Sequence, residues 1–555
     1  MTGISKILRG STYTTWIVFV VGTILLISLL SYPQGLDQQI FSLYGDIIRH
    51  GGIPYRDAIE IKPPLVYYFY ALSEQIFGNN ELSIRIFETA YQIVTAYLLF
   101  RLTLKITKSK PLALGTYITY VVMLVMQGYW ETAQAETFST LPGLIVFWSL
   151  IKADEENSAK KLLLYALITG AALAAYCWFK YNFIVMLPAI IIFILSGSTS
   201  RRIYFSLLVV VSFLAFYLSY ALYLYLNGAI NTYLEVMLEW APGYAGLNPL
   251  LSRKTLSEII SQNFPVFLFY NYTGLMTISM TAGIIYVSRT YKVFLANNNN
   301  HRSRASLLLL LLLASLFISL ILERKLFVYH YNRALWAAAP FIVIGLWKIY
   351  LLIAHYWKRR KEDTLEFTIV SRTIIVGAVS LLLFYSPIMK LIDSPIEFGI
   401  AALRGENAKQ HLIKLKPDDY FGGEFEVADS LRPYLNETDN IFIWGTHIGA
   451  YDILGKRPPA KMITTMQMVA PFTPKSWKKE VIKRLYKTKP KFILVQMGDQ
   501  IPYITGSEYD SYGNYVRYEE LLNFVGDYYS IKFETLMYVV YERTSDIPDS
   551  AQIAF

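Results

Sequence analysis

The chain has 555 residues, 54% of them apolar and only 17% charged, with a mean hydropathy of +0.36. These values exclude an ordinary soluble enzyme of one domain and imply a multi-pass membrane protein with a soluble part attached. A net charge of +10 raises nucleic acid as a partner, although in a membrane protein such an excess more often marks cytoplasmic loops, and the lone cysteine, Cys177, excludes a disulfide framework or a cysteine metal cage.

A hydrocarbon core of about 30 Å takes about 20 apolar helical residues to cross. Runs of that kind fall at roughly 14–31, 85–106, 112–128, 137–152, 160–179, 182–196, 203–226, 264–287, 305–322, 334–355 and 369–388, about eleven spans in all. The run 64–78 is short, begins at a proline and carries Glu74 and Gln75, so it reads as a helix lying in the interface. Threading the spans alternately puts Lys105, Lys108, Lys110, Lys152, Lys160, Lys161, Arg201, Arg202, Arg302, Arg304 and Lys358 on one side, which the positive-inside rule makes cytoplasmic. The cation-poor side then holds 32–84, 227–263 and everything after about residue 390, facing the periplasm or exterior. The first span lacks a cleavage site and reads as an uncleaved signal-anchor.

Two regions follow: 1–395, a membrane domain with the outer-face loop 32–84, and 396–555, a soluble α/β domain. In the latter, strand-like 441–445, 491–495 and 536–542 alternate with amphipathic stretches. Its GAYDILGKR segment, 449–457, resembles a phosphate loop only superficially, having one residue too many between its glycines and Arg457 where Ser or Thr is needed.

The segment 36–65, LDQQIFSLYGDIIRHGGIPYRDAIEIKPPL, carries the most chemistry. Leu36, Ile40, Leu43 and Ile47 have the period of an amphipathic surface helix that Gly51-Gly52 stops, and Asp37 stands at its start. Taken alone, such an aspartate suits a helix cap as well as it suits a catalytic base. Lys62 precedes Pro63-Pro64, a rigid pair that fixes where its ammonium points. At the same outer level lie Glu131, Glu136, Lys180, Arg324, Lys325, His330 and Arg333. Charges at the edge of hydrocarbon are costly unless they snorkel, pair or serve a ligand, and for each one singly a structural ion pair is the blander reading. Together, cations beside a few carboxylates at a lipid border suit an anionic head group with a hydrophobic tail.

An Asp just after the first span, then G-x-P-Y-R-D, K-P-P-L-x-Y-Y and F-G before the second, resembles the GT-C membrane glycosyltransferases, the branch of lipid A aminoarabinose transferase, rhizobial galacturonosyltransferases and protein O-mannosyltransferases. AETF around Glu136 and YHYNRALWAAAP at 329–340 are weaker echoes of the same pattern. The resemblance implies a polyprenyl-phosphate-linked sugar as donor, an envelope acceptor and an active site on the outer face. It makes Asp37 the base that deprotonates the acceptor hydroxyl and Glu136 a second acid. Lys62 and Lys180 then contact donor phosphate, with Arg56, His330, Tyr331 and Arg333 as further substrate contacts. The chain departs from its relatives at Gln38, where many have a second acid, at Tyr181 after the middle lysine, and at Glu60, two residues before Lys62. No Asp-x-Asp motif or zinc pattern occurs, so no cofactor or metal is indicated. The expected function is an inverting transferase in a bacterial-type cell membrane, with membrane lipids and no nucleic acid as partners. The alternatives are a flippase of a lipid-linked saccharide and a noncatalytic envelope-assembly protein. A flippase would place polar groups near the bilayer midplane and tend to show internal repeats.

Overall fold

A computed structural model describes residues 12–197, 201–247, 256–258, 260–261, 264–291, 300–359, 390–391, 395–415 and 420–548. All ten expected spans among these residues are helical, and the eleventh, 369–388, lies outside the described residues. Among the described residues, five helices are by length and composition able to cross a membrane: Thr12–Ser31, Ala159–Phe179, Arg202–Leu226, His301–Glu323 and Val328–His355. Lys110–Val125 and Tyr181–Leu195 are apolar but shorter. The protein is thus an integral membrane protein.

The chain forms two compact units. The first comprises Met1–Tyr32, Ile84–Ser219 and Leu256–Leu403, and the second Pro33–Ser83, Tyr220–Thr255 and Arg404–Phe555. The sequence boundary at 395/396 lies near the last of these breaks, but the division differs in kind, because segments 33–83 and 220–255 fold with the C-terminal region and not with the spans.

In the first unit, helix Phe264–Tyr291 packs along Leu335–Arg359 at glycines. A Cβ on Gly283 would collide with the carbonyl oxygen of Phe341, and one on Gly345 with that of Ser279. The backbones approach as closely as small residues permit, which is how helices gain packing energy where lipid is as apolar as leucine. Glu81–Thr107 carries charges that a spanning run would avoid, and the structure accounts for them. Arg85 and Glu88, both fully buried, pair at 3.2 Å. Arg85 also donates to Thr132 Oγ1 at 3.0 Å and to the carbonyl oxygens of Tyr129 and Tyr32 at 3.0 and 3.2 Å, while Glu88 accepts from the Ala133 amide at 2.5 Å. The pair thereby satisfies the backbone of the 128–134 turn, whose end, capped by Gln134, starts the short helix Ala135–Phe138.

The second unit contains a four-stranded sheet of order β1-β2-β4-β3: Ile441–Trp444, Phe492–Gln496, Tyr538–Arg543 and Tyr529–Glu534. β1 and β2 run parallel and the other pairs antiparallel. Both parallel strands are wholly buried, as their unbroken apolar runs require. Segments 33–83 and 220–255 are joined to this domain by polar contacts. Ile59 donates its amide to the Lys461 carbonyl at 2.9 Å, Trp477 donates to Glu235 at 2.7 Å, and Glu424 accepts from Gln39 Nε2 at 3.2 Å and from the Gly449 amide at 2.8 Å. Glu424 has no exposed surface, and burial pushes its carboxyl up to about 7 against the opposing pull of Lys409 and of its two donors.

Two outcomes are expected. Gly345→Leu should prevent the helix contact and abolish a folded, monodisperse protein in detergent, whereas Gly399→Leu, where a Cβ meets nothing, should not. Because the Glu424 carboxyl titrates higher in the folded state than its ordinary value of 4.5, its contribution to stability is complete below that value and is lost as pH rises through about 7. That loss is on the order of 3 kcal/mol. The melting temperature of Glu424→Gln should therefore fall less between pH 5 and pH 8 than that of the parent. Equal slopes in a thermal-shift series would refute the assignment.

Candidate active site

Helix Leu36–Arg49 begins at Gly35 and carries Asp37 in its first turn, where the unpaired amides of a helix start favour a carboxylate. Lys62 Nζ lies 3.0 Å from Asp37 Oδ2 and 4.4 Å from the centre of the Phe41 ring, one turn further along the same helix face. The backbone that aims Lys62 is itself held in place. The buried carboxylate of Glu60 accepts from the Lys62 amide at 2.7 Å and from the Tyr67 hydroxyl, and Tyr55 donates its hydroxyl to the Lys62 carbonyl at 3.0 Å. Burial pushes the Glu60 carboxyl up, opposed by Lys62 and Tyr67. Glu60 therefore orients the lysine through its backbone, a role its spacing in sequence did not reveal. Arg56, expected as a substrate contact, is half-exposed and pairs with its neighbour Asp57 at 2.7 Å.

The second set of expected residues lies in the first unit and forms one network. Glu136 Oε1 stands 3.0 Å from Lys180 Nζ and 3.1 Å from Arg333 Nη2. Glu323 closes the other side, at 2.6 Å from Lys180, 2.5 Å from Arg333 and 3.1 Å from His330 Nε2. Arg333 also donates to Ser319 Oγ at 3.0 Å, and Asn182 to Glu323 at 3.1 Å. Each carboxylate bridges two cations, so the buried charges balance, and the donors of Lys180 are spent on protein acceptors. Tyr331 belongs to the surrounding packing. Its ring lies against Phe264 and Tyr272, its carbonyl accepts from Tyr272 at 2.7 Å, and its own buried hydroxyl has no partner among the described residues.

Glu323 is the member of this network that sequence reasoning missed. It ends the apolar helix His301–Glu323, where the helix dipole disfavours an acid, and that misfit was the available signal. Among the described residues, ligand atoms of Glu136, Glu323 and His330 lie within 4.8 Å of one another and form a group that could hold a metal ion. Lys180 and Arg333 already neutralise the two carboxylates, which weakens the field any cation would meet.

Residues 61–223 match the family model of dolichyl-phosphate-mannose-protein mannosyltransferase. No curated protein sequence matches the chain. In fold the chain is similar to ArnT from Cupriavidus metallidurans bound to undecaprenyl phosphate, with a TM-score of 0.57 and 10% identity over 97% of this chain and 99% of that one. The apo state of the same protein gives a TM-score of 0.55 and 12% identity over 96% and 98% of the two chains. The archaeal oligosaccharyltransferase AglB from Archaeoglobus fulgidus, in complex with an inhibitory peptide and a dolichol-phosphate, gives 0.48 and 12% over 97% and 75%. The GT-C fold expected from the sequence resemblance is the fold found.

The network makes its own prediction. Arg333→Met leaves two buried carboxylates short of a cation and should lower stability by about 3–5 kcal/mol. Arg333→Lys keeps the charge without the fork and should lose less, which thermal unfolding in detergent can rank.

Proposed function

We propose that the protein is an inverting glycosyltransferase that moves a sugar from a polyprenyl phosphate to a hydroxyl of an envelope acceptor on the outer face of a cell membrane. One observation carries this reading: the Asp37–Lys62 pair at a helix start, in a chain whose fold is similar to that of a protein bound to undecaprenyl phosphate. A carboxylate and an ammonium 3.0 Å apart supply the two groups that displacement at a sugar phosphate needs. The acceptor oxygen forms its bond to the anomeric carbon as the bond to phosphate oxygen breaks, the hydroxyl proton passes to Asp37, and polyprenyl phosphate departs with the electron pair. Lys62, moving its charge from Asp37 toward the departing phosphate, strengthens the base and stabilises the leaving group in one shift. Phosphate is already a competent leaving group, so in this reading the protein's task is alignment and charge, and no resident metal is required. The Glu136, Glu323, Lys180, His330 and Arg333 network serves as an electrostatic support, with Lys180 and Arg333 available to an anionic head group only if their carboxylate contacts open. The cation distribution supports a cytoplasmic N-terminus and an outward-facing C-terminal domain.

Asp37→Asn should cut transfer by about 10²-fold or more without changing expression or melting temperature. Lys62→Ala should raise the KM for polyprenyl-phosphate sugar as well as lower kcat. Turnover of Asp37→Asn at the parent rate with purified donor would remove the base assignment. An engineered cysteine at position 510 that reacts only from the cytoplasm would reverse the topology.

A further inference from the structure

In the first unit, helices Glu81–Thr107 and Thr140–Asp154 enclose a groove of about 860 Å³. One wall gives Tyr97, Arg101 and Lys105, four residues apart on one helix face, with Lys108 just beyond the helix end. The other wall gives Leu144, Ile145 and Trp148. Tyr97, Leu98 and Trp148 are exposed, so the groove opens at the surface of a membrane-spanning unit. Its body is aromatic and aliphatic and its cations stand at one end, Lys105 lying about 12 Å along the axis from Tyr97. Leu102 and Leu144 also line a second cavity of about 360 Å³, where buried Phe147, Trp336 and Phe341 present hydrocarbon and Arg302 and Lys348 add cations.

The distribution of charge sets this end apart from a row of snorkelling lysines. Lys105 and Lys152, one from each helix, are within side-chain reach of each other, and Lys108 adds a third positive charge. The carboxylates of the adjoining turn are already taken. Asp154 pairs with Arg304 at 2.7 Å, Glu155 with His301 at 2.7 Å and Glu156 with Lys161 at 3.0 Å. Glu155 acts on Lys105 through space, but among the described residues none of Arg101, Lys105, Lys108 and Lys152 has a carboxylate partner. Arg101 spends its bond on the Tyr97 hydroxyl at 2.9 Å. Like charges gathered without a counter-ion repel, and a bound anion removes that repulsion.

Charge and wall chemistry together select the ligand. Cations in a lining that has no carboxylate favour a negative head group over a neutral or zwitterionic one. Apolar walls open to the membrane favour an anion attached to hydrocarbon over a soluble one, and basic pockets between spanning helices are where acidic lipids bind. Arg85, which holds the turn leading to Glu136, precedes Lys105 by about 20 residues of the same helix, or about 30 Å. The cationic end of the groove and the Glu136 network are thus a bilayer thickness apart.

We propose that this groove binds an anionic diacyl phospholipid, its phosphate held by Arg101, Lys105, Lys108 and Lys152 and its chains lying along Leu98, Leu144 and Trp148. The site is independent of the transferase reading, in which donor phosphate meets Lys62 or the Glu136 network.

The test is a titration of delipidated full-length protein in detergent, followed by native mass spectrometry, with phosphatidylglycerol and with phosphatidylcholine of the same chains. The parent should bind phosphatidylglycerol about tenfold more tightly or better. Lys105→Gln/Lys108→Gln should remove most of that preference. Lys160→Gln/Lys161→Gln, which takes the same charge from exposed positions outside the groove, should keep it. All four side chains are exposed, so both variants should melt as the parent does. Equal affinity of the parent for the two lipids overturns the proposal, as does a preference that survives Lys105→Gln/Lys108→Gln or is lost equally in Lys160→Gln/Lys161→Gln. Undecaprenyl phosphate that outcompetes phosphatidylglycerol in the parent but not in Lys105→Gln/Lys108→Gln would give the groove to a polyprenyl lipid and overturn the diacyl assignment.

Discussion

An ionised group taken out of water must find an opposite charge and hydrogen bonds, or it will not stay ionised and in place. That constraint organises the first unit. Arg85 and Glu88 are wholly buried in helix Glu81–Thr107, and they are held there by each other, by Thr132 Oγ1, by the carbonyls of Tyr129 and Tyr32 and by the Ala133 amide. The 128–134 turn delivers Glu136 to Lys180 and Arg333, and Glu323 completes the balance. Removal of any one charge would leave its neighbours uncompensated, so the network is stiff by construction. It is also electrostatically loaded, because two cations held by two carboxylates can be released to an anion only at the cost of separating them.

Composition and apolar runs made the membrane architecture legible, because hydrocarbon leaves the backbone few options. The helices at 159–179, 202–226 and 301–323 match the expected spans to within a few residues, and the alternation of apolar strands with amphipathic stretches after residue 440 marked the α/β domain. The allegiance of the outer segments was not legible. Nothing in the local pattern of 33–83 or 220–255 says that Ile59 will bridge to Met462 or that Glu235 will accept from Trp477, since such pairings depend on residues hundreds of positions away. Residue type and position singled out Asp37, Lys62, Glu136, Lys180, His330 and Arg333 as candidates, of which the first two contact each other and the other four belong to one network. Sequence could not show that Arg56 would turn to Asp57, that Tyr331 would join the core packing, or that Glu323 would be the second bridging acid.

Helix 36–49 shows how one short element can serve two purposes. Its period places Asp37 and Phe41 on one side, where they hold Lys62, and Gln39, Asp46 and Arg49 on the other, where they form a cavity wall. Gly45 lets the following helix, Leu65–Phe77, pack against it, since a Cβ there would press on the backbone at Ala71. The chain between the two helices returns Lys62 to the start of the first, with Glu60 and Tyr55 fixing the turn. The C-terminal domain secures both ends of this arrangement, at Gln39 through Glu424 and at Ile59 through Lys461. A displacement of that domain would move the carboxylate and the ammonium by different amounts. The geometry of the Asp37–Lys62 pair is therefore a property of the folded second unit as a whole, in which the C-terminal region helps to position two residues it does not contain.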